Sequence, residues 1–281
     1  MCGITGFIDS NSNNSANIHT TVKKMTNLIT HRGPDSSGSW ISDCQRVCLG
    51  NRRLSILDLS NNGHMPFMCN DKRFIISYNG EIYNFRKIRA ELVAKGYQFR
   101  SNTDTEVILA ALKFWGFDNM IARVIGMFAF VIYDTQEEKI YLARDRLGEK
   151  PLYYFYNKDV LIFASELKCL SSISSLPLSL NRETIVNQVM KKTSKHPNTI
   201  YNNIYQLEPG HYLSYDVCKK KLNKSRYWNM PQLSNDFNNI NDSLNSFGNT
   251  FSDVIEDFIS ADVEVGVFLS GGNDSSLVLN M

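Results

Sequence analysis

Apolar positions in this chain recur with two different periods, and the period separates helices from strands. After a polar loop from Asp9 to Ser15, residues His19 to Thr30 carry Val22, Met25, Leu28 and Ile29 at helical spacing. Phe74 to Tyr78 reads as a strand that Asn79-Gly80, the dipeptide of a tight hairpin turn, should break. Residues 83–96 then read as a helix. A second helix is expected over 104–115, with Val107, Ile108, Ala111, Leu112 and Trp115 on its inner face. Strands follow at Met127–Tyr133, Lys139–Ala143, Leu152–Tyr156 and Val160–Ala164, all rich in aromatic and β-branched residues. So many strands after two helices argue for packed sheets covered by helices. Ile204 to Tyr215, interrupted by Glu208-Pro209-Gly210, predicts a late hairpin.

Residues 229–243 are rich in Asn, Ser and Asp and read as a linker. Beyond it, Leu244, Phe247, Phe251, Val254, Ile255 and Phe258 form a helical stripe, and Val263–Leu269 predicts a strand. That strand runs into Ser270-Gly271-Gly272-Asn273-Asp274-Ser275-Ser276, five residues from the last residue given. Strand, glycine turn and first helical turn are the opening of an α/β module, whose remainder is expected to be missing.

Composition narrows the classes. A length of 281 residues suits more than one domain, and a net charge of +2 supplies no field for nucleic acid or a membrane surface. Apolar runs are of strand length, and no cationic-then-apolar segment marks a secretory signal. Six cysteines are scattered; Cys44 and Cys48 have a metal-like spacing but no second pair follows, so zinc is not expected. Free thiols fit a reducing cytoplasm.

Two segments carry chemistry. Cys2 follows the initiator methionine, and a small residue there normally allows Met1 to be removed. The mature chain would then start with a thiol and a free α-amine on one residue. An α-amine has a pKa of roughly 7.7–8.0, against roughly 10.4 for lysine, so it can act as the base for its own thiol near neutrality. At the other end, a Ser-Gly-Gly turn before a helix lets backbone N–H groups converge on phosphate oxygens, and Asp274 could hold a magnesium ion there. No Gly-Lys-Ser/Thr follows, so it is not a Walker A loop.

Ser270 to Ser276 resembles the pyrophosphate loop of N-type ATP pyrophosphatases, and Cys2-Gly3-Ile4-Thr5-Gly6 resembles the start of class II glutamine amidotransferases. The two occur together, in this order, in glutamine-hydrolysing asparagine synthetases. Intervening segments match as well: His31 to Asp35, Arg53 to Asp58, Tyr78 to Asn84, Thr103 to Glu106 and Ala143 to Gly148. The resemblance runs from residue 1 to about 277.

It implies an α+β fold. Residues 2–210 would be an Ntn-hydrolase four-layer αββα sandwich, 211–243 a hairpin end and linker, and 244–281 the truncated start of an α/β adenine-nucleotide hydrolase-like domain. Cys2 would attack the glutamine carboxamide, with Asn79 and Gly80 as oxyanion donors. Arg53 would clamp the glutamine carboxylate, Asp104 with the Glu81 backbone the ammonium, and Leu54, Ile56 and Leu57 would form the wall. Asp104 also suits a helix N-cap, and His31 is expected to be structural. Leu269, Ser270, Gly271, Gly272, Asp274 and Ser275 would bind ATP, with Asp274 on magnesium. Ammonia would then amidate aspartate, and the family admits a homodimer. This stretch alone is expected to keep glutamine hydrolysis without making asparagine.

The chain departs from the family at Asn51, where relatives usually have histidine, and at Met65, where many have glutamine. Neither touches the nucleophile or the clamp. Other readings are an amidotransferase acting on a different carboxylate, such as that of a surface-polysaccharide sugar, and a non-catalytic remnant. A phosphoribosyl- or sugar-amidotransferase would lack the Ser270–Ser276 loop.

Overall fold

The computed structural model describes residues 1–11, 15–193, 195–232, 239–259 and 261–281. The chain opens with β1 (Gly3–Asp9), α1 (Ser15–Leu28), β2 (Ser36–Ile41), β3 (Val47–Arg53), β4 (Phe67–Met68) and β5 (Phe74–Ile82). Next come α2 (Phe85–Ala94), α3 (Asp104–Trp115), α4 (Phe117–Arg123), β6 (Gly126–Asp134), β7 (Lys139–Arg144), β8 (Tyr153–Tyr156) and β9 (Val160–Ala164). The rest comprises α5 (Leu167–Ser171), α6 (Arg182–Lys191), β10 (Ile204–Gln206), β11 (His211–Asp216), β12 (Lys221–Arg226), α7 (Ile240–Phe258) and α8 (Asn273–Asn280).

The strands form two six-stranded sheets, ordered β10-β8-β9-β1-β3-β2 and β12-β11-β7-β6-β5-β4. Strand alternation makes the layers. In β6, Ala129, Val131 and Tyr133 face the other sheet, where they meet Ile4 and Ile8 of β1 and Val47 and Leu49 of β3. Phe128, Phe130 and Ile132 point the opposite way, into a core closed by α2, α3 and α4. On the outer face of the first sheet, Met25 and Ile29, from α1 and the residue just past it, pack with Cys169 and Leu170 of α5 against Phe155 and Ile162. The result is the expected αββα stack.

The two expected helices over 83–96 and 104–115 are α2 and α3. Three expectations need correction. Asn79-Gly80 does not turn the chain: β5 continues through both residues, pairing with β6 from Phe74–Asp134 to Ile82–Gly126. Cross-strand pairing over nine residues overrides a two-residue turn signal. Nor do Ile204–Gln206 and His211–Asp216 form a hairpin. The first pairs with β8 in one sheet, whereas the second pairs with β7 and β12 in the other. Glu208-Pro209-Gly210 is thus a crossover between layers, and the second sheet continues to Arg226.

The third correction concerns Val263–Leu269, which is irregular and exposed, with Phe268 fully so. An apolar run of this kind is a strand only beside a neighbour that takes up its N–H and C=O groups, and it has none among the described residues. Within the expected linker, residues 233–238 lie outside the described residues, and α7 starts at Ile240. The far end of α7 rests on the sandwich through Phe258 on Tyr83, ring centroids 4.1 Å apart, and Asp257 near Lys87 at 3.8 Å.

Candidate active site

The space between the sheets opens at one end into a cavity, and the two-residue period of the strands decides what faces it. Cys2 shares parity with Ile4 and Ile8, Arg53 with Val47 and Leu49, and Asn79 with Ile75; those partners all face the inter-sheet core. Nucleophile, cation and amide therefore arrive at one place from three strands. Cys2, Arg53, Leu54, Ile56, Leu57, Asn79, Gly80, Glu81 and Asp104, the whole expected glutamine set, line a single cleft of about 630 Å³ including its open mouth.

The Cys2 thiol is half-buried, and its Sγ accepts from the Leu54 N–H at 3.3 Å. Burial raises its pKa, and the Leu54 N–H opposes this, so the thiol needs a base to lose its proton. Arg32 holds the residue in place: its Nε donates to the Cys2 carbonyl at 2.9 Å. Glu166 anchors Arg32 at 3.2 Å and also takes His31 at 2.8 Å and Lys168 at 3.0 Å. His31 is exposed and turned to Glu166. Asp35 accepts the Ser55 N–H at 2.8 Å, and a Cβ on Gly33 would stand 2.4 Å from the Arg52 backbone. The His31–Asp35 segment thus packs tightly on the strand that delivers Arg53.

Asn79 is buried, and its Nδ2 has no hydrogen-bond partner. An orphaned buried donor typically costs about 1–3 kcal/mol, so it needs a ligand to justify it. The Gly80 N–H follows from register. Phe128, opposite Gly80, spends its N–H and C=O on Asp145, away from β5. The Gly80–Phe128 pair therefore exchanges no ladder bonds, and the Gly80 N–H points outward from the sheet. It emerges on the edge where Ile82, two residues on, donates to Asp104 at 2.9 Å. A Cβ on Gly80 would lie 2.2 Å from the Met127 carbonyl, so only glycine fits this crossing.

Asp104 is buried and accepts from Ile82 N–H and, at 2.7 Å, from the Tyr78 hydroxyl. Desolvation outweighs both bonds and pushes its carboxyl up to about 6. Asp104 is not the helix cap: Thr103 is, accepting the Glu106 N–H at 3.2 Å, while Glu106 reaches back to Ser101. Asp104, inside the first turn, is left free for a cation. The sign of its titration is definite. The carboxylate is charged above pH 6 and neutral below it, so an ammonium ligand is lost on acidification. KM for glutamine is expected to rise about tenfold per pH unit below 6, in initial rates that separate KM from kcat. A KM flat from pH 7 to 5 would remove Asp104 from ammonium binding.

Arg53 is buried and already donates to the carbonyls of Ser60 at 3.2 Å, Leu57 at 3.0 Å and Asp58 at 2.5 Å. It orders the loop that carries Ile56 and Leu57 and keeps two of its five donors for a carboxylate. That loop is held from a distant part of the chain too. The Asp262 N–H donates to the Ile56 carbonyl at 3.0 Å, and the Asp262 carboxylate accepts the Asp58 N–H at 2.8 Å. Both departures from the family pattern sit beside the site. Asn51 is buried and ties the sheets together, donating to Ser77 and to the Tyr78 carbonyl, each at 3.1 Å. Met65 lines the cleft.

A model of the glutamine amidotransferase domain matches residues 1–228. The chain belongs to the glutamine amidotransferase domain family. This amidotransferase chain is 34% identical over 281 residues to asparagine synthetase [glutamine-hydrolyzing] 3 of Bacillus subtilis, covering 99% of itself and 44% of that protein. It is 34% identical over 302 residues to putative asparagine synthetase [glutamine-hydrolyzing] 2 of Methanocaldococcus jannaschii, covering 100% and 56%. Amidase chry2 of Gibberella zeae is 32% identical over 295 residues, with 100% and 42% covered. The amidotransferase chain thus spans about half the length of the curated relatives it matches. Among solved structures, glutamine phosphoribosylpyrophosphate amidotransferase from B. subtilis superposes with a TM-score of 0.57 at 18% identity, over 81% of this chain and 49% of that one. It shares the fold.

Sequence reasoning missed several residues around the cleft, among them Arg32, Tyr78, Thr103 and Lys150. Arg32 and Tyr78 stood inside matched segments, and Lys150 lies two residues past one. At the other end, the Ser270–Ser276 loop is exposed. Gly271 has φ +79°, and the Ser276 N–H donates to the Gly272 carbonyl as α8 begins. No helix among the described residues is long and apolar enough to cross a membrane.

Proposed function

We propose that the chain hydrolyses glutamine with Cys2 as nucleophile, after removal of Met1 frees the Cys2 amine. The observation that carries this reading is the convergence of Cys2 and the orphaned Asn79 Nδ2 on one cleft. Glutamine binds with its carboxylate on Arg53 and its ammonium on Asp104, beside the Glu81 backbone. The amine takes the thiol proton and Sγ attacks the carboxamide carbon. The oxyanion is met by the Asn79 Nδ2 and the Gly80 N–H, and the proton passes to the leaving ammonia. Water then cleaves the γ-glutamyl thioester, restoring the thiol; glutamine and water become glutamate and ammonia.

The ammonia serves an ATP-dependent amidation of aspartate to asparagine, in a second domain that begins within 244–281. In that reading the Ser270–Ser275 backbone, after Leu269, holds the ATP phosphates. The positive φ of Gly271 and the helix start behind it suit phosphate oxygens, and Asp274 could hold a magnesium ion that screens their charge. Free cysteines throughout the described residues favour the cytoplasm.

Intact-mass and peptide analysis of purified protein, followed by a coupled glutamate assay, test the first step. The expected result is an N-terminal Cys2 and glutamate release dependent on glutamine. A retained Met1 with no release refutes it.

A further inference from the structure

Nucleophile and oxyanion donors stand on different sheets, Cys2 just ahead of β1 and Asn79 and Gly80 within β5. Their separation depends on how β1 and β3 sit against β5, and Asn51 is placed to fix it. It lies opposite Ile4 in the β1–β3 ladder, two residues before Arg53, and is fully buried. From there its Nδ2 crosses to the other sheet, donating to Ser77 Oγ and to the Tyr78 carbonyl, each at 3.1 Å. Ser77 returns a bond of 2.9 Å to the carbonyl of Gly50, the residue before Asn51. The Tyr78 carbonyl belongs to the peptide that leads into Asn79. By the alternation of an antiparallel ladder, Tyr78–Phe130 is, like Gly80–Phe128 two residues on, a pair without ladder bonds. The Tyr78 carbonyl and the Gly80 N–H therefore emerge side by side on the edge of β5 away from β6. β4 stops short of both, pairing with Ile75 and Ile76. A longer neighbouring strand would take up both groups; here the carbonyl goes to Asn51 and the N–H is left for a ligand.

We propose that Asn51 is a positioning residue for the oxyanion hole, gripping the peptide ahead of Asn79 so that Asn79 Nδ2 and the Gly80 N–H meet the carboxamide oxygen as Cys2 attacks. The inference rests on the glutaminase reading above. Stability alone does not account for the residue. Its Oδ1 has no hydrogen-bond partner among the described residues. An orphaned buried acceptor typically costs about 1–3 kcal/mol, which offsets much of what two donations gain. The Tyr78 carbonyl also dictates which end of the amide faces β5, since only the Nδ2 end can donate to it. The histidine that relatives usually carry at this position offers a ring N–H to the same carbonyl.

The test is a double-mutant cycle read in kcat and KM for glutamine. Asn51→Leu keeps the volume and removes the donor; it is expected to lose roughly ten- to a hundredfold in kcat, with KM held because Arg53 and Asp104 are untouched. In an Asn79→Ala background the same change should cost less than about threefold, since most of what Asn51 positions is already gone. Asn51→His is expected to recover the rate to within about threefold of wild type, because the donor returns. A folded Asn51→Leu with normal kcat, a loss that sits in KM, or losses that multiply in full with Asn79→Ala overturn the proposal. If Asn51→Leu fails to fold, Ser77→Ala, which removes one of the two anchors, is expected to lose about threefold in kcat. An unchanged kcat there has the same force. Absent glutamate release from wild type would instead refute the glutaminase reading itself.

Discussion

Replacing Cys2 by alanine is expected to lower glutamate release by about ten-thousandfold or more, the scale for losing the attacking atom of a covalent mechanism. The thioester needs a nucleophile within reach of a carboxamide held between Arg53 and Asp104. Tyr78, a buried hydroxyl that lines the cleft, is committed to Asp104 at 2.7 Å. What remains is the stabilisation by Asn79 and Gly80 of attack by water. Glutamine should still bind, because Arg53, Asp104 and the wall are untouched, and calorimetric titration of the variant would show it. Stability should barely change, since Sγ makes long contacts of 3.3 and 3.5 Å with Leu54. Glutamate release by the variant within tenfold of wild type would take the thiol out of the reaction.

Asn79→Ala should lose roughly 10²–10³ in kcat, or about 3–4 kcal/mol of transition-state stabilisation, with KM for glutamine little altered. The Nδ2 hydrogens have no partner before charge develops on the substrate oxygen. Their contribution therefore appears in the transition state and hardly in the ground state. The same fact separates this variant from a folding defect. Deleting a buried donor that bonds nothing removes a desolvation cost, so the melting temperature should hold. A variant with normal kcat, or one that loses kcat only because it unfolds, would contradict the oxyanion role.

Much of the fold was legible because β5, β6, β7, β8 and β9 are dense in β-branched and aromatic residues. Strands with few such residues were not. β12, Lys221–Arg226, carries lysines and an arginine on a sheet edge, and β2, Ser36–Ile41, begins with serines and glycine. Edge strands bury one face at most, so they carry a weak alternation signal. The Asn79-Gly80 misreading has a similar root: a turn dipeptide is local evidence, and nine rungs of cross-strand pairing are not. Cys2, Arg53, Asn79 and Asp104 were assigned from matched segments; strand parity brings the first three together, and the first turn of α3 adds Asp104. Arg32 reaches the Cys2 carbonyl, and Lys150 enters the cleft from a loop wound on Arg144 and Asp145; no spacing in the chain encodes either.

Asp262 gives this architecture a consequence for communication. Its two hydrogen bonds staple the rim of the glutamine cleft, at Ile56 and Asp58, to residues just upstream of the glycine loop. Filling the cleft and rearranging the downstream segment therefore share one free energy. A rearrangement of the tail that breaks these two bonds is expected to change glutamine affinity at the rim, and by linkage glutamine binding returns the same factor to the tail.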